Sequence, residues 1–196
     1  PYGELRFEGE RLPPIAAYAP ERTILLGSFS KIVAPGLRLG WLCAPCEFIE
    51  QLTIAKQASD LHSSALGQYL IARYLCDHDL DVHIATIRDR YRAQRDCMLA
   101  LLARYCPPEV SYTQPHGGMF LWMRLPEGLQ ALALFHLAME ENVAFVPGDP
   151  FYLHGRGART LRLNFTNADP AAMEEGIIRL SRAIRRLIAR GAEQDK

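Results

Sequence analysis

The chain has very little lysine. Lys31, Lys56 and Lys196 are the only three in 196 residues, and every other basic residue is an arginine. Surface charge is therefore carried without lysine, and an internal lysine in a special local setting stands out. Long apolar runs are also missing. No stretch approaches the roughly eighteen apolar residues of a membrane-spanning helix. No basic-then-apolar leader opens the chain, so export is not indicated. Net charge is absent, with 22 basic against 22 acidic residues, which gives no general reason to expect nucleic acid as a partner. The 5 cysteines are odd in number and scattered, which suits reduced thiols in a cytoplasmic protein better than a disulfide framework. Cys43 and Cys46 make a single C-x-x-C pair, and no histidines stand at ligand spacing beside it, so neither zinc nor redox chemistry is expected there.

What is present is an ordinary globular mixture, 49% hydrophobic and 22% charged. The run from Thr23 to Phe29 is apolar and strand-length, and Leu37 to Ala44 is a second such run; both read as buried strands. Between them, Ser30 to Gly36 reads as a loop closed by Pro35-Gly36. Helical patterns cover Glu47 to Ser59, Ala65 to Cys76 and Leu80 to Tyr105. In the last, Ile84, Ile87, Tyr91, Met98, Leu101, Leu102 and Tyr105 keep to one side, which leaves Arg88, Asp89, Arg92, Arg95 and Asp96 to water. Pro107-Pro108 ends it. Short strands follow at Gly118–Leu125, Val143–Val146 and Thr160–Phe165, with a helix over Ala131–Glu141. The final helix has its start written out: Asp169 as N-cap, Pro170 at the first helical position, then Glu174 and Glu175. Its arginines, Arg182, Arg185, Arg186 and Arg190, read as a solvated face rather than a nucleic-acid patch.

The chemistry concentrates in Gly27-Ser-Phe-Ser-Lys31, at the end of the first strand, with Arg38 seven residues beyond the lysine. Arginine offers a planar fork that binds phosphate bidentately, and serine hydroxyls donate to the remaining oxygens. An amine beside a fixed positive charge gives up its proton more readily, and a free amine attacks an aldehyde. The set suits an anionic phosphate next to a reactive amine. The plain alternative is a lysine and an arginine on an exposed loop.

The stretch from Gly27 to Trp41, Gly-Ser-Phe-Ser-Lys-Ile-Val-Ala-Pro-Gly-Leu-Arg-Leu-Gly-Trp, resembles the pyridoxal-phosphate (PLP) lysine signature of class I/II aminotransferases of fold type I. It is most similar to the 2-aminoadipate/kynurenine aminotransferase-like group, which also supplies a domain of certain bacterial regulators. Tyr2-Gly-Glu-Leu-Arg-Phe, Pro115-His-Gly-Gly-Met-Phe-Leu-Trp, Val146-Pro-Gly-Asp-Pro-Phe and Leu161-Arg-Leu-Asn-Phe follow in the family's order. The resemblance implies an α/β chain: residues 1–79 as the C-terminal part of the large PLP-binding domain, and 80–196 as the small α+β C-terminal domain.

The resemblance also implies roles. Lys31 would form the Schiff base with PLP and, once released, move the proton at the substrate Cα. Arg38 and Ser28, with Ser30, would bind the cofactor phosphate. Tyr2 would hydrogen-bond the cofactor's phenolic oxygen. Arg162 would take the substrate carboxylate, with Gly118, Met119 and Phe120 lining the pocket; His116 is read as a loop histidine. The family's aspartate for the pyridine nitrogen falls just upstream of Pro1, so a C-terminal fragment, inactive by itself, is expected. The expected whole is a cytoplasmic homodimer acting on amino acids and 2-oxo acids. The alternatives are the aminotransferase-like sensor domain of a transcription regulator fused to a DNA-binding module, or another fold type I enzyme such as a C–S lyase or decarboxylase.

Overall fold

The computed structural model describes residues 2–194, with side chains described to residue 191. The chain divides into two compact units, Pro1–Asp89 and Arg90–Lys196.

The first unit carries a two-stranded antiparallel hairpin, β1 (Leu25–Ser28) and β2 (Gly40–Cys43), in which Ser28 faces Gly40 and Gly27 faces Trp41. Helices α1 (Cys46–Asp60) and α2 (Ala65–Asp77) follow. The Ser64 hydroxyl caps α2 by accepting from the Gly67 N–H at 3.3 Å. Helix α3 (Leu80–Tyr105) starts in this unit and continues into the next. Its first turn is capped by Asp79, whose carboxylate accepts from the Asp81 N–H at 2.8 Å and the Val82 N–H at 3.3 Å.

The hairpin corrects one expectation. Its two strands read as buried, yet every residue of β2 is exposed, and Leu26 of β1 is 64% exposed. A continuous apolar run marks a strand covered on both faces. Here the covering is partial: β1 and β2 share with α1 and α2 a cavity of about 1000 Å³ lined by Leu26, Trp41, Leu42, Ile49, Leu52 and Leu75.

The second unit is an antiparallel sheet in the order β3-β4-β6-β5, from β3 (Ser111–Tyr112), β4 (Phe120–Arg124), β5 (Val146–Pro147) and β6 (Thr160–Asn164). Strand alternation sorts its residues. Leu121, Met123, Leu161 and Leu163 are buried. Their neighbours in sequence, Phe120, Trp122, Arg162 and Asn164, take the opposite face, with Trp122 paired to Arg162 and Phe120 to Asn164. Helix α4 (Ala131–Glu140) adds Leu134, Leu137 and Ala138 to the core, and α5 (Pro170–Gln194) adds Met173, Ile177, Leu180, Ile184 and Leu187. Asp169 caps α5, accepting from the Ala172 N–H at 2.9 Å. Arg182 and Arg186 tie α5 to the end of α4 through Glu141 and Glu140, each with a 2.7 Å contact.

Arg95 is the second correction. Its side chain is buried rather than solvated. It stands four residues after Tyr91 and three before Met98, which places it on the apolar stripe of α3. Its charge is met there by Asp96 at 2.7 Å and by the Pro115 carbonyl, which accepts from Nη1 at 2.6 Å.

Candidate functional site

The expected site residues fall into two groups, one in each unit. In the first, the hairpin end gathers Ser28, Ser30, Lys31 and Arg38. The Phe29 N–H donates to the Leu39 carbonyl at 3.1 Å, extending the strand pairing by one step. The Phe29 carbonyl then accepts from the N–H groups of Ile32, Val33 and Ala34. This winds residues 29–34 into a tight turn with Lys31, half-buried, inside it. A short 3₁₀ turn at Pro35–Leu37 follows and ends on Arg38, whose backbone is left-handed at φ 54°. Gly27 leaves room for the side chain of its cross-strand partner. A Cβ there would lie 2.0 Å from the Trp41 indole, which occupies the space above it.

The donors fit a phosphate. The Ser28 hydroxyl oxygen accepts from the Ser30 N–H at 3.1 Å, which leaves its O–H free to donate outward. Arg38 is exposed and, among the described residues, its guanidinium donates only to its own turn, to the Pro35 carbonyl at 3.3 Å. Among the described residues, neither Lys31 nor Arg38 forms an ion pair with a carboxylate. Two cations and a free hydroxyl on one hairpin loop suit a bound anion. Arg38 also lines a cavity of about 460 Å³ with His62, Ser63 and Ser64, at the start of α2. Tyr2 lies in the same unit, about 40% exposed, and its carbonyl accepts from the Leu5 N–H at 3.0 Å in a 3₁₀ turn.

The second group surrounds Arg162. Its guanidinium carbon lies 4.0 Å from the centroid of the Phe120 ring and 4.8 Å from that of Phe151. Arg162 and Phe120 line a cavity of about 280 Å³ with Phe145, Val146 and Asn164. Gly118 enters β4 at φ 81°, and the Met119 carbonyl accepts from the Phe165 N–H at 3.3 Å, which fixes the strand beside β6. His116 is exposed. Phe151 is the residue that sequence reasoning misses; its block is recognisable, but nothing in the spacing marks which aromatic reaches the arginine.

The chain matches the family described as Aminotransferase class I and II over residues 2–180. It belongs to that family. The aromatic-amino-acid aminotransferase 1 of Thermococcus litoralis is 44% identical over 94% of this chain and 45% of its own length. The crystal structure of LysN, an α-aminoadipate aminotransferase of Thermus thermophilus complexed with N-(5'-phosphopyridoxyl)-L-leucine, superposes with a TM-score of 0.90 at 45% identity, covering 96% of this chain and 49% of that one. An uncharacterized HTH-type transcriptional regulator of Bacillus subtilis, YisV, is 32% identical over 95% of this chain and 38% of its own length. The chain thus spans about half the length, or less, of these relatives. Its mixed α/β fold is that of the C-terminal part of the fold type I aminotransferases.

Proposed function

We propose that the full-length protein carrying this chain is a PLP-dependent aminotransferase that moves an amino group between an α-amino acid and a 2-oxo acid. The observation that carries the reading is the hairpin loop at residues 28–38, where, among the described residues, Lys31 and Arg38 form no ion pair and the Ser28 hydroxyl is free to donate. PLP supplies an aldehyde and an electron-withdrawing ring when bound. Lys31 is its attachment point and, once released, the base and acid that moves the proton at the substrate Cα. Ser28, Ser30 and Arg38 hold the phosphate, with the arginine as the bidentate partner. Tyr2 donates to the ring's phenolic oxygen. Arg162 holds the substrate carboxylate in the plane of its fork, which orients the Cα–H bond. Gly118, Met119 and Phe120 line the pocket beside it.

In this reading residues 1–79 serve the cofactor and 80–196 form the small domain that presents the carboxylate fork. The whole protein is a cytoplasmic homodimer. The test is to add PLP to the full-length protein, look for the visible band of a lysine-bound cofactor, reduce with borohydride and map the labelled peptide. Label on Lys31, with transamination from an amino donor to 2-oxoglutarate, supports the reading. Label elsewhere, or full activity in Lys31→Ala, overturns it. Release of ammonia or sulfide in place of transfer would instead mark a lyase.

The similarity to the HTH-type regulator supports a second reading, a PLP-binding sensor domain fused to a DNA-binding module. The same cofactor attachment without turnover, together with operator binding that responds to PLP, would favour it.

A further inference from the structure

Arg162 is the one residue proposed to recognise the substrate carboxylate, and its surroundings explain how it keeps its aim. Among the described residues it makes no hydrogen bond or ion pair with protein. A long, flexible side chain with no polar partner would sample many orientations. What holds it is aromatic: Phe120 at 4.0 Å and Phe151 at 4.8 Å from Cζ.

Phe151 is itself built in from behind. Its N–H donates to the Gly148 carbonyl at 3.0 Å, and the Gly148 N–H donates to the Thr160 carbonyl at 2.7 Å. Thr160 is two residues before Arg162 on β6, so the turn carrying Phe151 is stitched to the strand carrying the arginine. Gly148 permits this approach: a Cβ there would lie 1.9 Å from the Thr160 hydroxyl and 2.8 Å from its carbonyl oxygen. The Phe151 ring also meets Trp122 edge-on, with centroids 5.4 Å apart and planes at 88°. Trp122 is the cross-strand partner of Arg162. Strand and turn thus fix the Phe151 ring, itself 49% exposed, on one side of the guanidinium.

We propose that Phe151 is a positioning residue for the reaction: stacking against its ring, buttressed by Trp122 and the Gly148 turn, orients the Arg162 fork for a planar carboxylate. A ring beneath Cζ attracts the cation without offering an acceptor oxygen, so the N–H groups stay available for the two carboxylate oxygens. The inference rests on the carboxylate role given to Arg162 above.

The test uses the full-length enzyme with its best amino donor. A cation–π contact of this kind corresponds to about three- to thirtyfold in an equilibrium constant. Phe151→Leu, which keeps an apolar side chain but removes the ring, is expected to raise KM for the donor about tenfold while kcat changes by less than about twofold. Calorimetry with the donor's desamino acid, which keeps the carboxylate but has no amine to react, should show the same loss in Kd. Phe151→Tyr restores the ring and should recover both. If Phe151→Leu proves poorly folded, Phe151→Met, which also keeps an apolar side chain without the ring, should give the same split between KM and kcat. Arg162→Gln separates the two ideas. If it leaves KM and Kd unchanged, the carboxylate role fails. If it raises both while a folded ring-removing variant raises neither, that role stands and the positioning role of the ring is wrong.

Discussion

Arg95 Nη1 donates to the carbonyl of Pro115 at 2.6 Å, so a buried guanidinium on α3 grips the segment that leads into Gly118 and Phe120. Position 95 thereby anchors the entry to β4. Arg95→Met keeps the length of the side chain and removes the donors. The Pro115 carbonyl then loses this donor, while Asp96, largely exposed, can return to water. Urea denaturation should show a loss of about 1–3 kcal/mol, and Arg95→Lys should recover only part of it, since an ammonium lacks the fork. An unchanged midpoint for Arg95→Met would rule out the anchoring role.

Gly148 makes a sharper demand. Gly148→Ala sets a methyl against both the hydroxyl and the carbonyl oxygen of Thr160. Overpacking of this kind costs about 1–3 kcal/mol. Adding Thr160→Ala removes the hydroxyl but not the backbone oxygen, so the double variant should regain stability beyond the sum of the single changes without reaching the parent. Strict additivity of the two would mean that the turn relaxes away from β6.

Gly27 and Trp41 make a comparable pair with a different outcome. The Trp41 ring is 44% exposed and can swing aside, so Gly27→Ala should displace the indole rather than break the hairpin. In a Trp122→Phe background, Trp41 is the one tryptophan within these 196 residues. Its emission should shift to the red in Gly27→Ala, with a stability change of about 1 kcal/mol. An unshifted spectrum would contradict the packing described for β1 and β2.

Cys106 is a pH reporter. Burial pushes its thiol up from 9.0 to about 11, against a smaller opposing pull from Arg185. The folded state therefore holds this proton more tightly than the unfolded chain. Its contribution to stability is full below about pH 9 and is lost as pH rises toward about 11. Alkylation followed by mass mapping at about pH 8, below the ordinary thiol range, should label the exposed Cys43, Cys46 and Cys76 well before Cys106. Labelling of Cys106 at the same rate would show that its thiol is open to solvent.

Much of this fold is legible in the sequence where the signal is local. Asp169 and Pro170 announce α5, and the period of apolar residues together with Pro107-Pro108 bounds α3 at Leu80 and Tyr105. The two-residue strand β3 is too short to show a period of two. Arg95 is misread because periodicity assigns faces by residue type, and a buried arginine supplies its own neutralising partners. Leu26 and Trp41 read as buried because apolar strands normally are, whereas burial depends on what covers them. The Lys31 turn stands out because serine, lysine and arginine lie within eleven residues of one another. Phe151 reaches Arg162 only through a turn stitched across the sheet, and linear spacing carries no mark of that.

Arg38 sits where its backbone would favour another residue. At φ 54° an L-residue pays about 1–2 kcal/mol that asparagine or glycine largely escapes. Arg38→Asn should therefore raise the melting temperature of the protein without cofactor, while weakening phosphate binding by removing the fork. On the phosphate-binding role proposed for Arg38, the strain in its backbone is a cost offset only when an anion meets its guanidinium.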